Sequence, residues 1–227
     1  MEIKNNLLVG VKFLQTPHTS GLIKDFKYLC LHEDEGASMA GTESWIMNPI
    51  SKVSYHVLVG NNGEVTQFVP FNKRAYHAGK STWKGLSDLN WYSIGLSFQN
   101  RNGEAFTQGE LNKAVEVAKA IVREYGIKEI VRHRDISPGR KTDPHLGFPF
   151  DWFKEQVFGN SESDGKLDSK RTTSDLNLRQ GAGTNFSVLE VLKSGSEVLV
   201  LSEQNGWSQV VVCSSRSIGF VSSKYIK

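Results

Sequence analysis

The chain has 227 residues, 38% of them hydrophobic and 22% charged, a composition typical of a globular protein with one large or two modest domains. Its formal net charge is +3, and no dense basic cluster with interleaved aromatic residues is present, so we expect no nucleic-acid partner. No apolar run approaches the roughly 20 residues of a membrane helix, and the first residues lack the pattern of a signal peptide, so we expect neither membrane insertion nor signal-directed export.

The first elements are predicted to be strands separated by turns. Apolar alternation over residues 3–13 indicates an edge strand, and the polar segment 15–21, with its proline and glycine, indicates a turn. The apolar run 28–31 predicts a strand that ends at His32, and the small polar residues that follow, as far as Thr42, predict a loop. A loop directly after a strand is where an α/β protein usually places its functional site.

A hairpin is predicted next, with strands at 54–59 and 64–69. The connecting residues 60–63 are Gly-Asn-Asn-Gly, which tolerate positive φ. Tyr55 and His56 stand at the start of the hairpin on opposite faces, because successive side chains of a strand alternate. We therefore expect one of them to face a site and the other to pack inside.

The middle of the chain predicts a loop, a buried strand and a helix. Residues 74–83, rich in glycine, serine and aromatic residues, predict a loop over a cleft, and residues 91–99 predict a buried central strand. Thr107 and Glu110 form the signature of a capping box, and Gly126 can end the helix. Between them one apolar face recurs at helical spacing, formed by Leu111, Ala114, Val115, Ala118, Ile121 and Val122.

The last part of the chain predicts a second domain. Residues 129–132 form a short strand, which completes an α/β domain with a mixed central sheet and flanking helices. Residues 159–174 are nearly free of apolar side chains and predict a linker. Short strands separated by Gly, Ser and Asn turns then predict a small all-β barrel. The expected organisation is a catalytic domain at 1–158, a linker at 159–174 and the all-β domain at 175–227.

The segment 131–152, VRHRDISPGRKTDPHLGFPFDW, carries the densest chemistry. Its proline and glycine residues exclude a long helix or strand, so His133, Lys141 and Asp143 lie together on a loop. His133 and Asp143 are metal-ligating residue types, and a catalytic zinc site needs a third protein ligand and an open fourth position. His32, at the end of its predicted strand, is the candidate third ligand.

With these residues, the blocks SYHVLVGNNGEVTQFVP (54–70), RAYHAGKSTW (74–83) and NWYSIGLSFQN (90–100) resemble the zinc-dependent N-acetylmuramoyl-L-alanine amidases. That superfamily includes phage lysozyme-type amidases, cytosolic peptidoglycan-recycling amidases and peptidoglycan recognition proteins. The resemblance covers roughly residues 28–152, with its blocks in order. It implies a zinc ion bound by three ligands, which are His32, His133 and Asp143.

The resemblance also implies catalytic roles for Lys141 and Tyr55. Lys141 matches the family's basic residue, whose ammonium group would stabilise the oxyanion of the tetrahedral intermediate. Tyr55 matches the tyrosine with which lysozyme-type amidases position the attacking water or the carbonyl. Recycling amidases carry a glutamate where this chain has Ser97, so the glutamate mechanism is in doubt. Asp143, however, is the third ligand that the recycling amidases use. Because Ser97 and Asp143 point to different subfamilies, these residues do not decide which subfamily the chain belongs to.

Three further residues are predicted to bind substrate. His77 lies in the predicted loop over the cleft, and Trp83 either lines a sugar or peptide groove or belongs to the core. Glu33 stands where many relatives carry a second histidine, which alters the charge near the metal. His56, which also matches a family block, is expected to be a hydrogen-bonded structural histidine.

The C-terminal domain resembles a bacterial SH3-like domain. The matching residues are LNLR at 176–179, GAGT at 181–184, Gly206-Trp207 and GFV at 219–221. Such a domain would hold an enzyme near the cell wall and raise its local concentration there. The mildly basic charge is compatible with a polyanionic wall.

The function expected from these features is a zinc-dependent peptidoglycan hydrolase that cleaves the amide between N-acetylmuramic acid and L-alanine. Its partners would be peptidoglycan or muropeptides, and nothing in the sequence requires more than a monomer. It would be made in the cytoplasm and act either on the wall after release, as a lysin does, or on cytosolic muropeptides. The wall-binding domain favours the first. Two alternatives stay open: a non-catalytic recognition protein, and a zinc hydrolase of another bond, such as a deacetylase.

Overall fold

The computed structural model describes residues 1–101, 103–159, 168–215 and 217–227. The chain forms two compact units, one made of Met1–Asn102 with Asn112–His145 and the other of Gly103–Leu111 with Leu146–Lys227. Within the described ranges, no helix combines the length and the apolar character that crossing a membrane requires.

Short strands dominate the first unit. In chain order they are β1 (Ile3–Lys4), β2 (Leu7–Leu8), β3 (Lys12–Phe13), β4 (Thr19–Leu22), β5 (Tyr28–Glu33), β6 (Val57–Val59), β7 (Val65–Gln67), β8 (Lys73–Ala75), β9 (Thr82–Trp83), β10 (Leu86–Ser87), β11 (Ser93–Phe98) and β12 (Glu129–Arg132). The helices of the chain are α1 (Met39–Met47), α2 (Gln108–Tyr125), α3 (His133–Ile136) and α4 (Phe150–Phe158).

The central sheet of the first unit has the strand order β12-β5-β11-β6-β7-β3. Strands β12, β5, β11 and β6 are parallel, β7 is antiparallel to β6, and β3 is parallel to β7. The predicted mixed sheet is therefore confirmed, as is the hairpin β6–β7. Every residue of β5 and β11 is buried, and β11 lies inside the sheet, which confirms the predicted buried central strand.

Local sequence signals were sufficient to predict α2 but not α1. Thr107 caps the N-terminus of α2, because its Oγ1 accepts the Glu110 N–H at 3.1 Å, which is one of the two bonds of the predicted capping box. Gly126 follows α2 with φ +66°, the left-handed conformation that ends a helix. The loop predicted as far as Thr42 is wrong in part, because α1 begins at Met39. Its small residues make the helix inconspicuous, and it is held by burying Thr42 and Ile46.

Two other predictions need correction in this unit. Residues 74–83 are not one loop, because β8 pairs with β4 and β9 pairs with β10. The predicted edge strand at 3–13 is divided into the hairpin β1–β2 and the true edge strand β3. All these pairings involve only two to four residues a strand, too few for a period of two to be recognised.

The second unit contains an antiparallel sheet, as predicted for the all-β module. Its strands are β13 (Asp168–Arg171), β14 (Leu176–Arg179), β15 (Val188–Leu192), β16 (Glu197–Gln204), β17 (Trp207–Val212) and β18 (Ile218–Ser222), in the order β13-β16-β17-β18-β14-β15. Its core is aliphatic and consists of Leu176, Leu178, Leu192, Val198, Val210, Val212, Val221 and Ile226.

The predicted linker overlaps this sheet. Of residues 159–174, those at 160–167 lie outside the described part of the chain. Residues 168–171 form β13, which pairs with β16 although its side chains are polar. An edge strand exposes most of its side chains, so its sequence lacks an apolar signal. The domain limits 1–158 and 175–227 stay predictions.

Candidate metal centre

Two adjacent parallel strands deliver the first two donors. His32 lies near the carboxyl end of β5, and β12 pairs with β5 so that Arg132 is opposite Leu31. His133, the next residue after β12, therefore stands beside His32. Asp143 returns to the same place on the following loop, because the N–H of Arg134 donates to the Asp143 carbonyl at 2.8 Å.

Three donor atoms converge at this point. Nδ1 of His32 lies 3.0 Å from Nδ1 of His133, and Oδ2 of Asp143 lies 3.1 Å from the second and 3.3 Å from the first. All three residues are buried. Ligands about 2.0–2.1 Å from a tetrahedral zinc ion stand ~3.3 Å apart, so this donor set fits such an ion. The residues that the sequence predicted as ligands thus form a potential metal site.

The surroundings favour the protonation states that a metal needs. Burial, reinforced by the neighbouring His133, lowers the pKa of His32 to about 4, so its imidazole is neutral at pH 7. Burial alone would raise the pKa of Asp143, but the neighbouring His133 and His32 hold that pKa below its usual range. A neutral imidazole and an ionised carboxylate are the forms that bind a metal ion.

The outer ring nitrogens of both histidines are held by the protein. Nε2 of His133 donates to the Ala78 carbonyl at 3.1 Å. Nε2 of His32 lies 2.9 Å from Nδ1 of His77, whose own Nε2 lies 3.4 Å from the Ser93 carbonyl. If His77 donates to Ser93, its Nδ1 accepts from His32. Both candidate ligands then keep the Nδ1 lone pair free for the metal.

His77, predicted to bind substrate, lines the cleft beside the three donors, and protein groups hold its ring. Both of its ring nitrogens face them, and its backbone N–H donates to Asn90 Oδ1 at 3.0 Å. Its ring lies directly over Gly95 in β11, where an added Cβ would stand 2.6 Å from the His77 Cγ. Glycine is required there by this close approach. The position of His77 favours orientation of His32 over contact with substrate.

A cleft of about 240 Å³ opens beside the donors and brings His133 together with Tyr55 and Lys141. The Tyr55 ring lies 5.3 Å from the His32 ring, while His56 points the other way and accepts the Gly95 N–H at 2.9 Å. The opposite orientations predicted for these two residues are confirmed. Burial, together with the charge of Asp143, raises the pKa of Tyr55, so its phenol remains a hydrogen-bond donor.

Positive charge lines the same cleft. Lys141 is exposed there, and Lys52 and Arg140 join it. Arg140, which no sequence motif marks, donates from Nη2 to the Ala78 carbonyl at 2.8 Å and to Ser137 Oγ at 2.7 Å. Its guanidinium is therefore fixed beside His133. Its position next to Lys141 in the chain was the only sequence feature that could have indicated a role for Arg140 at the cleft.

Glu33 and Trp83 do not face this cleft. The Glu33 carboxylate is buried and accepts both the backbone N–H and Nδ1 of His145 at 2.6 Å, which holds the chain two residues after Asp143. Trp83 donates from Nε1 to Glu129 at 3.0 Å. Glu129 begins β12, at the end of the strand opposite to His133. The substrate contacts predicted for both residues receive no support from their positions.

Two family models match this sequence. One, described as N-acetylmuramoyl-L-alanine amidase, matches residues 23–146, and the other, described as bacterial SH3 domain, matches residues 174–227. The first range contains all three candidate metal ligands together with Tyr55 and Lys141.

Individual relatives agree. The 1,6-anhydro-N-acetylmuramyl-L-alanine amidase AmpD of Escherichia coli K12 is 38% identical over 114 residues, which are 49% of this chain and 61% of the relative. The chain thus spans less than two thirds of that relative. A selenomethionine AmpD crystal structure superposes with a TM-score of 0.62 at 27% identity, over 69% of this chain and 99% of that one.

A further structure contains substrate. The E. coli amidase AmiD, in complex with anhydro-N-acetylmuramic acid-L-Ala-D-γ-Glu-L-Lys, gives a TM-score of 0.54 at 28% identity, over 67% of this chain and 62% of that one. The family match at 23–146 alone covers more than half of the 227 residues. The chain therefore belongs to the N-acetylmuramoyl-L-alanine amidase family.

Proposed function

We propose that the protein hydrolyses the amide between N-acetylmuramic acid and L-alanine, with a zinc ion held by His32, His133 and Asp143. One observation carries the proposal: three buried donors converge at 3.0–3.3 Å beside a cleft that also contains Tyr55 and Lys141. A site for metal-assisted hydrolysis needs this combination of donors, open space and polar groups.

A zinc ion bound there would polarise the scissile carbonyl and lower the pKa of a water molecule to about 7. The chain itself supplies orientation and charge. The Lys141 ammonium group is placed to stabilise negative charge on the carbonyl oxygen. The Tyr55 phenol, which keeps its proton, donates a hydrogen bond to the attacking water or to the carbonyl.

No glutamate base is proposed. Ser97 occupies the position on β11 at which recycling amidases carry that glutamate, and the described residues that line the cleft include no carboxylate. Proton transfer would therefore depend on the metal site, with Tyr55 as the group that orients the water. This assigns the chain a mechanism closer to that of lysozyme-type amidases, although Asp143 is the other type of ligand.

The substrate is proposed to be anionic. Lys52, Arg140 and Lys141 line the cleft, and the stem peptide bound to the related AmiD contains a γ-linked glutamate, which leaves an α-carboxylate free. Peptidoglycan and soluble muropeptides both offer this group. The SH3-like domain favours the polymer, because a wall-binding module raises the local concentration of an enzyme near it. Action on cytosolic muropeptides is the alternative.

The proposal is tested by measuring bound zinc and the stem peptides released from isolated sacculi and from soluble muropeptides. We expect about one zinc ion per chain, and His133→Ala should lose both zinc and release. His18→Ala is the matched control, because His18 is also buried but donates to the Asn48 carbonyl at 2.8 Å, away from the donors.

Three outcomes would contradict the proposal. Sacculus binding without zinc or release would identify a recognition protein, although the complete donor set argues against that. Deacetylated sugars in place of free stem peptides, seen by mass spectrometry, would identify another bond. If the His133→Ala variant still released stem peptides, the reaction would take place elsewhere in the chain.

A further inference from the structure

Two backbone carbonyls beside the candidate metal centre accept hydrogen bonds from a single arginine. Nη2 of Arg140 donates to the Ala78 carbonyl at 2.8 Å, and Nε of the same guanidinium donates to the Lys80 carbonyl at 3.1 Å. Arg140 follows Ala78 by 62 residues, so these bonds join two segments that are distant in sequence. We call residues 78–80 the acceptor segment and residues 137–140 the arginine turn.

The backbone of Gly79 shapes the acceptor segment around the arginine. Gly79 has φ +55°, in the left-handed region that a residue with a side chain rarely adopts. A Cβ built on it would stand 3.4 Å from both Nη1 and Nη2 of Arg140, so the guanidinium lies directly against the glycine. With the chain turned in this way, the carbonyls on both sides of Gly79 reach one guanidinium.

The Ser137 hydroxyl completes the contact between the two segments. Its Oγ accepts from Nη2 of Arg140 at 2.7 Å and donates to the Lys80 carbonyl at 2.9 Å. A terminal guanidinium nitrogen has two hydrogens, and the Ala78 carbonyl and the Ser137 hydroxyl use both of those on Nη2. The arginine turn is therefore fastened to the acceptor segment by side-chain bonds.

The Ala78 carbonyl is also the group that holds His133. Nε2 of His133 lies 3.1 Å from this oxygen. A carbonyl can only accept, so the bond requires a proton on Nε2, and a neutral ring then keeps Nδ1 free for a metal ion. Nη2 of Arg140 lies 3.3 Å from the same Nε2, but its hydrogens point to other acceptors. Arg140 is thus connected to His133 through the carbonyl that both of them bind.

We propose that Arg140 is a positioning residue for the metal centre. It fixes the Ala78 carbonyl, and this carbonyl fixes the His133 ring with Nδ1 directed towards the other two candidate ligands. The inference rests on the proposed function, because that function places a zinc ion at these ligands. An arginine suits the role, since its planar guanidinium donates in several fixed directions, whereas a lysine ammonium is a point charge on a flexible chain.

Zinc affinity, measured by competition with a chromophoric chelator, is the main test. Arg140→Lys keeps the positive charge but cannot reproduce the bonds to Ala78, Lys80 and Ser137. Both Arg140→Lys and Arg140→Gln should therefore bind zinc roughly 10-fold more weakly than wild type. Ser137→Ala should weaken zinc binding too, and it should add little to Arg140→Lys, because the two side chains belong to one contact.

Lys80→Gln is the matched control for charge. It removes an exposed positive charge from the acceptor segment but retains the backbone carbonyl that Arg140 and Ser137 bind. Its zinc affinity should equal that of wild type. Arg140 is exposed as well, so thermal unfolding of each metal-free variant should stay cooperative, which verifies that lost affinity does not reflect a lost fold.

A second measurement uses neither zinc nor activity. In metal-free protein with ¹⁵N-labelled histidine, NMR follows the exchange of the His133 Nε2 proton with water. The bond to the Ala78 carbonyl should slow this exchange in wild type and in Lys80→Gln. Arg140→Lys should make it faster, because the carbonyl is then no longer fixed.

Three results would overturn the positioning role. One is wild-type zinc affinity in Arg140→Lys, and another is an equal loss of affinity in Lys80→Gln, which would make charge the cause. The third is a loss of affinity without faster proton exchange, because the arginine would then not act through the Ala78 carbonyl.

The amidase proposal can fail separately from the positioning role. If wild-type protein bound zinc through Arg140 as described but released no stem peptide, the positioning role would stand and the amidase proposal would fall. If Arg140→Lys bound zinc as tightly as wild type, and wild type released stem peptides, the positioning role would fall and the amidase proposal would stand.

Discussion

At the scale of single residues, the position of His77 explains how His32 is oriented. The two imidazoles are joined through Nε2 of His32 and Nδ1 of His77 at 2.9 Å, and both residues are buried. Without His77, the buried Nε2–H of His32 would lose its acceptor and the ring would be free to rotate. Groups that hold a metal ligand in this way commonly contribute to metal affinity.

We therefore expect His77→Ala to weaken zinc binding roughly 10–100-fold. His77→Asn should restore part of the affinity, because its amide oxygen can accept the same hydrogen bond. Competition with a chromophoric chelator measures both variants without any use of activity.

His56→Ala serves as the control for lost packing. His56 is equally buried beside the same sheet. Its ring bonds to the Gly95 N–H and the Lys73 carbonyl, and not to any of the three candidate metal ligands. Equal losses of zinc affinity in His56→Ala and His77→Ala would show that packing, and not orientation of His32, is responsible.

Lys141 offers a second test at this scale. Lys141→Ala should lower kcat by roughly 10²–10³, as expected when one group that stabilises the oxyanion is lost. The amount of bound zinc should stay unchanged, because Lys141 is not one of the candidate metal ligands. A variant with normal kcat, or one that had lost its zinc, would contradict this role.

At the scale of secondary-structure elements, β5, β11 and β12 build the site from three neighbouring positions of one sheet. The parallel pairing of β12 with β5 brings His133 beside His32, and β11 supplies Gly95 behind them. The close contact between the backbone of β11 and the His77 ring makes the strand and the side chain depend on each other.

Gly95→Ala should therefore destabilise the protein by about 1–3 kcal/mol, because the new methyl group would stand 2.6 Å from the His77 Cγ. The combination with His77→Ala should cost less than the sum of the two single changes, since the vacated space accommodates the methyl group. Denaturant unfolding of the four proteins measures this coupling. Additive losses would show that the two residues act independently.

The burial of His56 predicts a pH dependence. Burial lowers the pKa of His56 to about 4, below the value near 6.5 of an unfolded chain. As the pH falls from about 6.5 to 4, the unfolded state therefore binds a proton before the folded state does. The free energy of unfolding should decrease by about 3 kcal/mol across this pH range.

His56→Gln removes this titration, so its stability should fall less than that of wild type between those pH values. Thermal unfolding of metal-free protein at several pH values makes the comparison. Parallel profiles for wild type and variant would exclude His56 as the source of the dependence.

At the scale of the whole molecule, one chain combines an amidase unit that contains the candidate metal site with an SH3-like unit. A metal ion that binds only the folded state stabilises it, by about 4 kcal/mol at a free concentration 1,000 times Kd, which corresponds to roughly 10 °C in Tm. Chelation should lower Tm by this order, and added zinc should restore it. His133→Ala should show neither change, and a chelator effect that persists in it would place the metal elsewhere.

The sequence by itself determined the residue types and their order. His32, His133 and Asp143 were recognisable as donors, α2 was recognisable from its cap and apolar face, and the strands β6 and β7 from their turn. Each of these signals lies within a few neighbouring residues or within a family motif, so it can be read without knowing which strands pair.

Only the tertiary structure decided which groups face the site. In the structure Glu33 binds His145 and Trp83 binds Glu129, while His77 contacts Nε2 of His32 and Arg140 lies beside His133. It also formed α1 and β13 from segments with weak local patterns. These outcomes depend on contacts between residues distant in sequence. The pairing of strands and the burial of side chains fix such contacts, and local composition does not encode them.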